Sequence, residues 1–307
     1  MTDASNELAA DLIARFVARE PMRIGSLIVT IFGDSIVPRG GVVWLGSLIN
    51  TLASLGISHR RVRTAVYRLV QDDILANAQQ GRRSFYTLTA NGRRQFDAAT
   101  RRIYAERQQD WDQRWCLVLT GSLEPSARRA LRKELQWMGF GQLANDVLAH
   151  PRPDGTRLKR CLQALDCSDS VVMFDAAMPG QLNAKGVAAL VSQAWDLAGM
   201  EQAYATYLSA FDPLRERIAK HPAISPADAF FVRTFLIHEY RKIILRDPGL
   251  PHELLPATWL GHAAYELTRQ LYRLVVPAAE QFIDQHFENQ HGPLPAPVAS
   301  FDQRLNA

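Results

Sequence analysis

Between Gly56 and Leu88 the chain reads GISHRRVRTAVYRLVQDDILANAQQGRRSFYTL, and the chemistry it offers is that of closely spaced guanidinium groups. Arg60, Arg61, Arg63 and Arg68 share one side of a helical stretch with Thr64 and Tyr67, and Arg82 and Arg83 follow a Gln80-Gly81 turn. A guanidinium is a planar fork of donors that grips phosphate, and it can also bind the edge of guanine bidentately. An ordinary solvated helix face mixes charge signs, but here no acid intervenes before Asp72 and Asp73. Residues 58–107 hold eleven arginines against four acids, while the whole chain nets only +4. Positive charge gathered on one segment is the electrostatic footprint of a phosphate-binding face. The competing reading is an arginine-rich helix docking on an acidic partner protein. Double-stranded DNA fits the pattern better.

The elements that must position these groups are legible around them. Gly56 allows a sharp entry, and Ser58 caps a helix running to about Asp72. Val62, Ala65, Val66, Leu69 and Val70 recur at the spacing of a core-facing stripe, which leaves the arginines outward. A strand from Ile74 to Ala78, the turn, and a strand from Ser84 to Leu88 form a hairpin. Helix followed by hairpin, both basic, is the layout of a winged helix-turn-helix, in which the helix enters the major groove and the wing reaches a neighbouring phosphate. On this reading Arg60, Arg61, Arg63 and Thr64 supply groove contacts, Tyr67 lies on the same face, and Arg68, Arg82 and Arg83 contact phosphates.

Other chemistries fare worse. Phe32-Gly33-Asp34-Ser35 resembles a hydrolase serine motif, but its surroundings read as helix and Asp284-Gln285-His286 has the wrong spacing for a partner. His238-Glu239 and His252-Glu253 each lack a second histidine four residues after the first, so no zinc site is expected. Cys116, Cys161 and Cys167 form no paired motif. With an acidic, helix-patterned start in place of a leader, they suit a reduced bacterial cytoplasm, with nucleoid association when DNA is bound. No apolar run approaches the ~20 residues that span a bilayer. No catalytic residue, metal or cofactor is assigned.

The fold expected is α+β in three parts. Residues 1–20 form an N-terminal helix carrying Leu8, Leu12, Ile13 and Phe16, free to pack on its own chain or on a second subunit. Residues 21–109 form the winged helix-turn-helix domain, with one helix over 21–37, another over Val42–Leu55, and a long helix from Ala90 leading out of the hairpin. Residues 110–183 alternate strand and helix as a small ferredoxin-like α/β middle domain, closing on a buried strand at Ser170–Phe174. Residues 184–290 are an all-helical effector and dimerisation domain centred on Ala227–Leu245. The proline-bearing stretch 291–307 reads as a flexible tail.

A DNA-binding domain with two appended parts suggests a sensor. In the helical half the candidate ligand residues are Trp195, Arg233, His238, Tyr240, Arg241, Trp259, His262 and Arg269. Aromatics with arginines suit a ligand that is aromatic at one end and phosphorylated at the other. Such aromatics also occur simply as core, and His238 shares a stripe with Phe231 and Phe235, as a hydrogen-bonded core histidine would.

Longer motifs carry a family resemblance. Pro38-Arg39-Gly40-Gly41 precedes Val43-Trp44-Leu45-Gly46-Ser47-Leu48 and Leu55-Gly56-Ile57, and Trp115 opens the middle segment. His238-Glu239-Tyr240-Arg241-Lys242 is followed by Arg246-Asp247-Pro248, Leu250-Pro251, Leu254-Leu255-Pro256 and Trp259-Leu260-Gly261. With these the chain resembles the PaaX family of bacterial transcriptional repressors over about residues 20–290. The resemblance implies a repressor of phenylacetate-catabolic genes that binds operator DNA as a homodimer. It also implies that phenylacetyl-CoA, or a related aryl-CoA thioester, is the inducer. A change in the spacing of the two wings on thioester binding would release the operator. Two rivals remain: an aryl-CoA-handling enzyme with an appended DNA-binding domain, and an architectural DNA protein with no effector.

Overall fold

The computed structural model describes residues 3–19, 23–104, 111–177, 184–220, 223–301 and 304–305. It divides into two compact units. One comprises Met1–Glu106, Ala205–Leu245 and His262–Ala307, and the other Arg107–Tyr204 and Arg246–Gly261. In chain order the first unit opens with helices α1 (Asp3–Val17) and α2 (Ile24–Ile31), then a π-turn at Phe32–Ile36 and a 3-10 turn at Val37–Arg39. Strand β1 (Val42–Trp44), α3 (Leu45–Ala53), α4 (His59–Gln71), β2 (Leu75–Gln80), β3 (Arg83–Leu88) and α5 (Ala90–Tyr104) follow. The second unit holds β4 (Arg114–Leu119), α6 (Pro125–Trp137), β5 (Gly141–Ala144), β6 (Val147–His150), α7 (Gly155–Ala164), β7 (Val172–Ala177) and α8 (Ala184–Ala194). Helix α9 (Leu197–Lys220) begins in the second unit and continues in the first, which resumes with α10 (Pro226–Ile244), α11 (Gly261–His286) and the short pair β8 (Glu288–Asn289) and β9 (Gly292–Pro293).

In the first unit the antiparallel sheet has the order β1-β3-β2. Strand β1 lies inside a stretch whose apolar spacing predicts helix throughout. Its three residues pair Val42, Val43 and Trp44 with Thr87, Tyr86 and Phe85, and the β-branched and aromatic side chains favour that pleated edge. Helix α1 packs on its own chain: Phe16 stacks on Phe211 and Phe235 with ring centroids 5.4 and 5.1 Å apart, and Ala9 and Leu12 are buried beside it. Helix α10 is buried on nearly every face, which is why its sequence is apolar all round. The contacts that tie α10 to α1, α2 and α5 gather the N-terminal and C-terminal stretches into one unit, where the sequence suggests two separate domains.

The proline-bearing stretch after residue 290 is packed where it is described, rather than free. Leu294, Phe301 and Leu305 are buried, and the amide of Val298 donates to the Pro38 carbonyl at 2.9 Å. Those three apolar side chains give the stretch enough surface to bury that it does not behave as a polar tail.

The second unit runs β-α-β-β-α-β, with a four-stranded antiparallel sheet ordered β5-β6-β4-β7. Val118, Leu131, Leu135, Leu148, Leu158 and Leu162 form a core with α6 and α7. Trp115, Ala149, Val191, Trp195 and Leu197 form another core with α8 and the Leu250–Leu254 turn. The last strand is not the buried one its SVVMF sequence suggests. As the sheet edge beyond β4, it leaves Val172, Met173 and Phe174 about half exposed. Among the described residues no helix is long and apolar enough to cross a membrane.

Candidate nucleic-acid interface

Helix α4 starts where its residues dictate. Gly56 takes φ +72°, a left-handed conformation open to glycine without a Cβ clash, and the Ser58 hydroxyl accepts from the Arg61 amide to cap the first turn. Val62, Val66 and Leu69 are buried, and α4 packs on α2 and α3 through that side. The opposite side carries Arg60, Arg61, Arg63, Thr64, Tyr67 and Arg68, all exposed. Among the described residues none of these arginines is paired with a carboxylate, so the face keeps its positive charge. Thr64 donates its hydroxyl to the Arg60 carbonyl at 2.9 Å, and Tyr67 projects its ring into solvent at 63% exposure.

The hairpin β2–β3 is registered from Leu75↔Leu88 to Gln80↔Arg83, and Gly81 turns it at φ +59°. Its two arginines differ. Arg82 is exposed at the tip, whereas Arg83 lies over the Trp44 ring at 4.4 Å and pairs with Glu288 at 2.8 Å. The tip charge facing outward is therefore that of Arg82. Gly92 seats α5 directly against the Ile74 carbonyl, with Thr89 accepting from the Gly92 amide at 2.9 Å, so the helix leaves the hairpin at a fixed angle.

Behind this surface lies a buried ionic cluster that sequence spacing does not announce. Asp34 sits in the π-turn and is 2% exposed. It accepts from Arg233 Nε at 2.6 Å, from the Tyr104 hydroxyl at 2.5 Å and from the Tyr272 hydroxyl at 2.9 Å. Arg233 also pairs with Glu280, which in turn binds Arg39, and Arg39 reaches Asp284 at 2.6 Å. Arg304 donates to the Asp34 carbonyl at 3.2 Å and stacks on Tyr104. Burial alone would lower the Arg233 pKa, but Asp34, Tyr272 and Glu280 hold it above the ordinary arginine value. Burial, aided by Asp34, pushes the Tyr104 hydroxyl well up, so it stays protonated and donating. With Asp34 so committed and Ser35 buried, the Phe32–Ser35 motif presents no exposed serine nucleophile.

Residues 23–92 match the family described as PaaX-like protein, 108–188 the PaaX protein central Cas2-like domain, and 195–285 the PaaX-like protein C-terminal domain. Transcriptional repressor PaaX of Escherichia coli (strain K12) is 39% identical over 287 residues, covering 93% of this chain and 90% of that protein. The chain belongs to the PaaX family of transcriptional repressors. A solved structure, uncharacterized protein Rv0674 from Mycobacterium tuberculosis, is 22% identical over 77% of this chain and 89% of its own, with a TM-score of 0.49. Membership accords with the sequence reading of a regulator rather than an enzyme. The first PaaX segment contains α4 and the whole β2–β3 hairpin, and the central one contains the β-α-β-β-α-β unit.

The C-terminal PaaX segment holds all eight residues proposed from sequence for ligand, and the structure distributes them. Trp195 and Trp259 belong to the second unit. Trp195 donates its indole N–H to the Gly139 carbonyl at 2.8 Å within a core, and Trp259 meets Tyr204 edge-on at 5.6 Å. The other six lie in the first unit. Arg233 is enclosed in the Asp34 cluster, Tyr240 packs on Tyr207, Arg269 donates to Glu266, and His262 is exposed on α11. His238 and Arg241 come together through Thr30. The Thr30 hydroxyl accepts from Arg241 at 3.1 Å and lies 2.9 Å from His238 Nδ1.

His238 has a measurable consequence. Burial, then Lys242 and Arg241, pushes its pKa down to about 3, although Glu239 lies 4.0 Å away. The neutral ring is therefore favoured in the fold, and the stability it contributes is complete above its unfolded pKa near 6.5 and declines as pH falls toward 3. At ~1.4 kcal/mol per unit, lowering pH from 6.5 to 5 should cost about 2 kcal/mol from this residue. His238→Gln should flatten that part of the stability–pH curve, as read by denaturant midpoints at pH 7, 6 and 5.

Proposed function

We propose that the chain is a winged helix-turn-helix repressor of phenylacetate-catabolic genes. Helix α4 enters the major groove of the operator, and the β2–β3 wing sets Arg82 against an adjoining phosphate. Arg60, Arg61, Arg63 and Thr64 contact the groove, and Arg68 a phosphate. The observation that carries this reading is the exposed arginine face of α4, unpaired with acids and mounted on a buried stripe. The β-α-β-β-α-β order of the second unit supports a ferredoxin-like spacer, and a homodimer would match a palindromic operator. The effector is an aryl-CoA thioester, phenylacetyl-CoA first among them, and it lowers operator affinity when bound.

The test is to bind the purified protein to its own upstream promoter fragment and add phenylacetyl-CoA or free phenylacetate. Release by the thioester alone, with the thioester recovered unchanged, is the expected result. Consumption of the thioester would make the protein an aryl-CoA enzyme. Binding indifferent to the thioester would remove the effector from the account.

A further inference from the structure

Two cavities adjoin in the first unit, and Val29 and Arg241 line both. The larger, about 670 Å³, lies between α2 and α4. Its charged wall consists of Arg23, Arg60, Arg61, Arg68 and Arg241, with Asp72 as the single acid. The smaller, about 210 Å³, has Val29, Phe96, Ala99, Ile103, Ile237 and Leu245 on its apolar side, and Gln95, Tyr104 and Asp34, itself committed to Arg233, on its polar side. Arg241 is half-buried where they meet. Its guanidinium donates to Thr30, and among the described residues no carboxylate pairs with it. Burial lowers its pKa, the cost of holding a cation there without a counter-charge.

We propose that these cavities are one binding site for an amphiphilic anion, with an aromatic acyl end in the smaller and a phosphorylated end in the larger. The identification of that ligand as an acyl-CoA thioester rests on the function proposed above; the place and polarity of the site rest on the cavities. A cavity near 150 Å³ with apolar walls is large enough to admit benzene, so 210 Å³ holds a single substituted ring. The larger cavity falls in the range of small-molecule sites. Its arginines supply the bidentate donors phosphates require, and Arg241 gains the counter-charge it lacks. Arg60 and Arg61 are exposed and open to a DNA backbone, whereas Arg241 is half-buried and lines both cavities.

The site also gives a direct route to regulation. Arg60, Arg61, Thr64 and Arg68 line the groove and also belong to the face of α4 that meets the operator. A ligand phosphate in the groove takes up guanidinium groups that operator DNA needs. The two then exclude each other on one subunit, with no change in the spacing of the wings.

Calorimetry on the full chain without DNA tests the site, using phenylacetyl-CoA, coenzyme A and adenosine 3′,5′-bisphosphate as probes. Arg241→Met should weaken all three at least tenfold, and Arg241→Lys should recover part of the loss. Ala99→Phe, which fills the smaller cavity, should abolish the preference for the thioester over coenzyme A. In the unmodified protein, the thioester should slow amide exchange in α2 and α4. In an operator titration, the apparent Kd should rise with thioester concentration without a plateau. Thioester binding that neither substitution alters, without protection of α2 and α4, would overturn the site and leave the effector reading standing. A plateau would overturn the direct competition. No binding of any probe to the unmodified protein would overturn both the site and the effector.

Discussion

Replacing Asp34 with alanine is expected to remove about 3–5 kcal/mol of stability, the usual cost of breaking a buried ion pair from one side. Asp34 receives the Arg233 guanidinium and the hydroxyls of Tyr104 and Tyr272. Without the carboxylate, Arg233 keeps its charge at 0% exposure with, among the described residues, only the partly exposed Glu280 to balance it. The loss should appear as faster amide exchange in α10 and in the Phe32–Ile36 turn. Coupling provides the control. Asp34→Ala combined with Arg233→Met should recover a large share of the stability, because the second change removes the stranded cation. If the single and double variants are equally unstable, the pair contributes by packing and not by charge.

The second large effect concerns DNA. Arg60→Ala/Arg61→Ala/Arg63→Ala should weaken operator binding at least 100-fold, since each groove or phosphate contact of this kind contributes ~1–3 kcal/mol. Thermal stability should be nearly unchanged, because all three side chains are exposed and unpaired among the described residues. Single substitutions separate the roles. Arg63→Ala should relax selectivity at one base pair, whereas Arg82→Ala should weaken all sequences alike and reduce the salt slope by about 1. A uniform loss with Arg63→Ala would make it a phosphate contact. Arg83→Ala should act differently again, through the lost seat on Trp44 and Glu288.

The helix and hairpin were legible because their signals are local: an apolar period, a serine cap and a glycine turn, all within residues 56–88. The alternation of strand and helix in the middle segment was readable for the same reason, though not that Gly141–His150 holds the two strands β5 and β6. Strand β1 was hidden because three residues cannot establish a period of two inside an apolar run. The strand at Val172–Phe174 reads as buried by composition, and only its place at the sheet edge exposes it. The Asp34 cluster joins residues up to 238 and 270 positions apart, so no window of sequence contains it. Arg233 and Arg241 look alike as basic residues on one helix. The fold gives the first to Asp34 and Glu280 and leaves the second facing two cavities with no carboxylate paired to it among the described residues. That distinction depends on what other segments place beside them.

The most direct measurement of the central claim is fluorescence anisotropy of the full chain on its own upstream promoter fragment, against a shuffled duplex of equal length, at one fixed salt concentration. Salt must be held constant because arginine–phosphate affinity falls steeply as it rises. The account predicts binding to the promoter at least ~10³-fold tighter than to the shuffled duplex, with the difference lost in the triple arginine variant. Equal affinity for both duplexes, or a preference that survives removal of Arg60, Arg61 and Arg63, would contradict the assignment of α4 as the element that reads DNA.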